Sequence, residues 1–346
     1  MRKTSVAVLT TVAIMMGTAA WAGDIAPTLF QGGPGDQVTG MGNSEWRVWS
    51  SNSTNERSRY NAYARRVGSP RIKLNARGTN GFFGSLNDDT AQAIYQQASG
   101  GGRLGARSGR SNIYLYNLQT KRRHSPGNGV NTKLWEWSPS VSADHILFGR
   151  NDLRRNGSLW RVMLYDRDTH TVTRLDSARN RCRCIFPGQV TDEYATWTKC
   201  SQTLCQSWYY TIGTDVSAMI PNPLDEQTYY PAVTATTGNL YFARSGTGCG
   251  AGTQILSWNP VVGGAPELVS SLPAERDLAA SSMAFHDTGG HDDVYLSMLI
   301  CSGRFASDLY KIDDAETGAS RLPASGRSAA PQAAKELLPP GAVPTG

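Results

Sequence analysis

Histidine is scarce, with five residues in 346, and none of them stands in a pattern that carries chemistry. The chain has no His-Glu-x-x-His pair, no Gly-x-Ser-x-Gly nucleophile turn and no phosphate-binding loop. The common zinc, serine-hydrolase and nucleotide-hydrolysing signatures are therefore absent. Gly100-Gly101-Gly102 leads into arginine-rich loop sequence and not into a helix, so it lacks the helix N-terminus that makes a glycine run an anion cradle. Asp287 to Asp293 offers carboxylates, but neither the ordered spacing nor the distal Glu of a calcium loop. No metal or cofactor is expected. Lysine is also rare beside arginine, and charged residues make up only 18% of the chain, with a net excess of +6.

Long apolar runs are missing as well. Val6 to Met16 is the one extended apolar stretch, and it falls short of the roughly 20 residues a membrane helix needs. Flanked by Arg2-Lys3 and by the small-x-small sequence Ala20-Trp21-Ala22, it reads as a secretory signal over residues 1–22, cleaved near Ala22. The mature chain is expected to be secreted or periplasmic and not to span a membrane. Residues 23–45 read as an N-terminal extension, 46–324 as one closed domain and 325–346 as a disordered Ala/Pro-rich tail.

What the chain does have is a repeat. Ser138-Pro139-Ser140-Val141-Ser142-Ala143-Asp144 leads into His145-Ile146-Leu147-Phe148-Gly149-Arg150. A basic loop, Ser158 to Asp166 and Thr171 to Leu175 follow. Short strands joined by turns recur after this at roughly the 40–50-residue spacing of propeller blades. Ile185 to Pro221, Tyr230 to Val269 and Ser281 to Leu322 repeat the pattern. Trp46 to Trp49, Tyr60 to Arg66 and Arg71 to Leu74 form a weaker unit, and Ala91 to Gln97 with Asn112 to Tyr116 form another. The fold expected is all-β, a β-propeller of six four-stranded blades, with five and seven left open. The first unit shows no inner strand, so the ring is expected to close with a strand from the other terminus, removing exposed sheet edges.

Pro139, Ser142-Ala143-Asp144, Leu164-Tyr165-Asp166 and Thr173-Arg174-Leu175 resemble the TolB-like propeller repeat, with His145 where that repeat has Gly. The resemblance covers roughly residues 130–325. It implies a propeller shared by periplasmic scaffolds, peptidase-associated domains and some carbohydrate-active enzymes, so it does not confer one function.

In any blade of strands A to D, the A–B and C–D turns lie on one face. The B–C loops and blade-to-blade connections lie on the other. This sorting puts Arg103, Arg107, Arg110, Arg154, Arg155, Arg181, Arg183 and Arg304 on the B–C face as candidate ligand-binding residues. The same face collects all six cysteines, Cys182, Cys184, Cys200, Cys205, Cys249 and Cys301, and an exported chain would oxidise them to disulfides. Cys200 with Cys205 is the first pairing a hairpin would bring close. The opposite face takes Asp88-Asp89, Asp166, Asp168, Asp192-Glu193, Asp215, Asp292-Asp293 and Asp313-Asp314, residues that turns also favour for local backbone reasons.

The function expected is that of a non-enzymatic binding or scaffold propeller, with a protein or an anionic extracellular polymer as partner; nucleic acid is disfavoured in an exported chain. The alternative is a carbohydrate-active enzyme working through the channel. Of the histidines, His124, His145, His170 and His291 fall in expected turns, and only His286, ending an inner strand, is placed for that chemistry.

Overall fold

The computed structural model describes residues 25–32, 35–52, 60–87, 90–99, 110–152, 159–179, 185–201, 204–222, 226–234, 237–245, 252–272, 276–287, 292–300, 307–313 and 315. Every element of length among them is a strand. In chain order these are β1 (Thr28–Gln31), then β2 (Gln37–Gly42), β3 (Trp46–Asn52), β4 (Tyr60–Arg66) and β5 (Ile72–Lys73). Next come β6 (Asn80–Asn87), β7 (Gln92–Ala98), β8 (Ser111–Asn117) and β9 (Arg122–His124). They are followed by β10 (Trp135–Val141), β11 (His145–Asn151), β12 (Leu159–Asp166) and β13 (Thr171–Arg179). The chain continues with β14 (Ile185–Val190), β15 (Tyr194–Cys200), β16 (Cys205–Thr211) and β17 (Val216–Met219). The last strands are β18 (Gln227–Val233), β19 (Leu240–Ser245), β20 (Gln254–Trp258), β21 (Glu267–Ser271), β22 (Arg276–Asp287), β23 (Asp292–Ile300) and β24 (Ser307–Ile312).

Consecutive strands pair antiparallel in a β-propeller arrangement. Four four-stranded sheets stand apart, β2–β5, β14–β17, β18–β21 and a closing sheet in the order β1-β24-β23-β22. The other eight strands, β6 to β13, make one continuous sheet where separate blades were expected. A single parallel bridge, Trp135 opposite Ser111, joins its two antiparallel halves.

Burial falls from the axis outward. Every residue of β11 except Arg150 is buried, because this second strand has a neighbouring sheet on both faces, whereas the outer strand β9 is exposed throughout. The apolar clusters sit between successive sheets. Val48, Ala64 and Leu74 pack on Ala93 and Tyr95, and Ile94 and Ile113 pack on Ile146 and Phe148. Leu147 and Val162 meet Ile185 and Trp197, Tyr194 meets Phe242 and Trp258, and Tyr241 and Ile255 meet Leu296. The last sheet reaches the first through the Tyr295 hydroxyl, which donates to the Gly42 carbonyl at 2.7 Å, and through the Thr39 amide, which donates to Ser297 Oγ at 3.0 Å.

Closure differs from the sequence-based expectation. The first sheet has its own inner strand, β2, and it is the last sheet that borrows, taking β1 as its outermost strand against β24. Both β1 and β2 lie within residues 23–45, the stretch read as an extension. The expected outer strand at 320–322, the signal segment and the tail 325–346 lie outside the described residues.

Each innermost strand is bulged where it pairs with its neighbour, at Val38/Gly40, Phe83/Ser85, Trp137/Ser140, Pro187/Val190, Tyr229/Ala232 and Leu278/Met283. The bulges let adjacent inner strands touch near the axis. The Val141 amide donates to Ser85 Oγ at 2.7 Å, and the Val190 amide to Ser140 Oγ at 3.1 Å. Only glycine fits the closest approaches: a Cβ on Gly84 would lie 1.8 Å from the Pro139 carbonyl oxygen, and one on Gly188 2.2 Å from that of Pro231.

Candidate functional site

The antiparallel order puts the β3–β4, β7–β8, β11–β12, β15–β16, β19–β20 and β23–β24 loops on one face, with the connections between sheets. Of the candidate arginines there, Arg110 is described. It is exposed at the root of the β7–β8 hairpin, where its carbonyl accepts from the Ser99 amide at 3.1 Å and the Ser99 hydroxyl at 3.2 Å. Arg103, Arg107, Arg154, Arg155, Arg181, Arg183 and Arg304 lie outside the described residues. So do Cys182, Cys184, Cys249 and Cys301. Cys200 and Cys205 stand opposite each other at the end of the β15–β16 ladder and are disulfide-bonded, with Cα atoms 3.8 Å apart. Within the loop they close, the Ser201 amide donates to the Leu204 carbonyl at 2.8 Å and the Leu204 amide to Ser201 Oγ at 3.0 Å.

Beneath these loops lies a layer of paired charges that the sequence reading did not single out. Glu136 is fully buried and accepts from the Thr132 hydroxyl at 2.6 Å and from Arg150 Nε at 3.1 Å. Burial raises the Glu136 pKa against the pull of these donors, and it lowers that of Arg150. Arg150 also donates to the Val130 carbonyl at 2.9 Å. Asp176, on β13 of the same sheet, reaches the next one, taking the Lys199 ammonium at 3.0 Å and the Trp197 indole N–H at 3.0 Å. Trp137 meets Trp160 and Phe186 edge to face, with ring centroids 5.3 and 5.8 Å away. The signal was present in Trp135-Glu136-Trp137. A strand alternating in this way turns its acid to the opposite face from its indoles, so a buried Glu there needs a cation from the next strand.

On the opposite face the carboxylates fasten one sheet to the next. Asp192, in the β14–β15 turn, accepts from the Ser142 hydroxyl at 2.6 Å and the Asp144 amide at 3.0 Å, both in the β10–β11 turn. The His145 ring stands 3.6 Å away, an electrostatic contact longer than a hydrogen bond. His145, the Ser142 hydroxyl and the Asp144 amide together hold the Asp192 pKa down at about 2. Asp292 does the same between the last two sheets. It is fully buried and accepts from Thr237 Oγ1 at 2.6 Å, Tyr241 Oη at 2.7 Å and Asn239 Nδ2 at 3.2 Å. Asp293 pairs with Lys311 at 2.7 Å, Asp313 pairs with the same ammonium, and Asp166 caps its own turn through the Asp168 and Thr169 amides. Arg167 crosses between the halves of the eight-stranded sheet, donating to the Ser142 and Ala143 carbonyls and to Gln92 Oε1 at 2.9, 2.6 and 3.1 Å.

The histidines are dispersed. His124 lies on β9, where a turn was expected, and His145 begins β11. His170 occupies a turn at φ 58° with its Nδ1 2.9 Å from the Tyr165 hydroxyl. His286 pairs in register with Asp293, and His291 lies outside the described residues. Among the described residues no group of three His, Cys, Asp or Glu side chains is placed to hold a metal ion, and no helix is long and apolar enough to cross a membrane.

No protein-family model matches the chain, and no curated protein matches it. Among solved structures it is similar to puromycin hydrolase, with a TM-score of 0.53 and 13% identity over 85% of this chain and 49% of that one. It is also similar to an oligogalacturonate lyase in complex with manganese, with a TM-score of 0.49 and 13% identity over 85% and 83% of the two chains. For TolB from Acinetobacter baumannii the TM-score is 0.48, with 15% identity over 78% of this chain and 64% of that one. The chain spans about half the length of the hydrolase and less than two thirds of TolB. At these identities the likeness is one of fold, and the fold is the β-propeller.

Proposed function

We propose that the chain is an exported binding propeller of six blades whose working surface is the B–C face, and that its partner is an anionic extracellular polymer or a protein bearing acidic groups. The count of six takes the eight-stranded sheet as two blades, since its two antiparallel ladders share a single backbone bridge, Trp135 opposite Ser111. The observation that carries the reading is a division of labour between the faces. On the A–B face, Asp192, Asp292 and Asp293 are engaged in bonds that hold strands and sheets together. The B–C face carries the Cys200–Cys205 staple and the exposed Arg110. Arg150 and Lys199, the cations beneath that face, already have acids, so cationic charge for a partner falls to the loop arginines. A disulfide fits an oxidising compartment outside the cytosol.

The test is a chain with Arg103, Arg107, Arg110, Arg154 and Arg155 replaced by Ser, eluted by salt from a carboxylated matrix. The wild type should be retained at low salt and the variant should elute well before it, because exposed charges act through a screened potential. Equal elution of the two chains excludes the basic face as the binding surface.

A further inference from the structure

On the A–B face, away from the loops just discussed, the seam where the last sheet meets the first opens into a cleft of about 500 Å³. Strand β1 supplies Leu29 and Phe30, β3 supplies Arg47, and the turn after β4 supplies Val67, with Tyr295 and Lys311 from the closing sheet. The volume lies in the range of small-molecule sites. Its apolar parts are open to solvent: Leu29 and Val67 are each 60% exposed. Phe30 packs edge to face on Tyr295 with centroids 4.9 Å apart.

The charges of the cleft are unequal. Lys311 is neutralised by Asp293 and Asp313, and Glu45, the nearest acid in sequence to Arg47, is taken by Arg66 at 2.7 Å. Arg47 donates from Nη1 to the Phe30 carbonyl at 3.1 Å and lies 4.7 Å over the Phe30 ring. Among the described residues no carboxylate pairs with it. A half-buried guanidinium held over an aromatic ring, with spare N–H groups and no counter-charge, suits an oxyanion that can accept from two N–H groups at once.

We propose that this seam cleft is a second binding site, for a small organic monoanion whose charged group meets Arg47 and whose apolar body lies against Leu29, Phe30 and Val67. A carboxylate or sulfonate on an aromatic or short aliphatic frame has that chemistry.

The probe is 1-anilinonaphthalene-8-sulfonate, followed by fluorescence on the full chain, with uncharged N-phenyl-1-naphthylamine as its neutral counterpart. The sulfonate should bind saturably and about tenfold or more tightly than the neutral probe, since a charge-assisted hydrogen bond contributes that much. Arg47→Met should weaken sulfonate binding by about tenfold, and so should Val67→Asp, which adds a repelling charge at an exposed turn without touching the core. Arg174→Met, on an exposed outer strand, should leave it unchanged. If Arg47→Met loses the near-ultraviolet dichroism of the wild type, Val67→Asp decides alone. Absence of saturable binding, equal affinity for both probes, or wild-type affinity in Val67→Asp overturns the proposal.

Discussion

Asp192 and Ser142 are 50 residues apart in sequence and meet at 2.6 Å across the gap between two neighbouring sheets. The contact is one of a series in which a turn carboxylate of one sheet accepts from the corresponding turn of the sheet before it. Its consequence is a pH dependence. The folded pKa of Asp192 is held at about 2, below its ordinary 3.8, so its contribution is complete above pH 4 and is lost as pH falls through 2. The side chain is 45% exposed, and solvent screening limits the contribution to about 1 kcal/mol. Asp192→Asn should lose that amount at pH 7 by urea denaturation. The difference from wild type should shrink towards zero at pH 2.

Asp292 performs the same task in a fully buried setting, and its removal should cost more. Asp292→Ala withdraws the acceptor of Thr237, Asn239 and Tyr241, all from the preceding sheet. A loss of about 3 kcal/mol is expected, larger than for Asp192, because buried donors are left without their partner. Equal losses in the two variants would contradict the ranking by burial.

Gly84 tests the contact between inner strands. Its missing side chain makes room for the Pro139 carbonyl oxygen, which a Cβ would approach to 1.8 Å. Gly84→Ala should therefore destabilise by roughly 1–3 kcal/mol through forced backbone movement. Gly213→Ala, with open space around the added methyl, should stay within about 0.5 kcal/mol of wild type. Thermal midpoints of the two variants measure the contrast.

The sequence is most legible where strands alternate cleanly and turns are polar. The phrase from Ser138 to Leu175 anticipates β11, β12 and the start of β13, and the units that follow are found at β14 to β24. Two inner strands that escaped detection share one cause. Strands β2 and β6 contain Gly40 and Gly42, and Gly81 and Gly84, and they bulge where they crowd the axis. Glycine and a broken alternation read locally as loop, although near the axis they are what allows an inner strand to fit. The role of β1 was hidden for a different reason, since a four-residue strand gains its partner, β24, only when the ring closes. Face assignment followed from strand order alone. The Glu136–Arg150 pair needed the cross-strand register, and the seam cleft needed both ends of the chain in place.

The central claim is that binding belongs to the B–C face while the other face holds the ring together. Hydrogen–deuterium exchange of the chain, alone and with a soluble polycarboxylate, tests it most directly. Protection on binding should appear in residues 99–110, 152–158 and 201–204, with the turns at 142–144, 167–170 and 191–193 unchanged. Protection confined to those turns, with the B–C loops unaffected, would contradict the account.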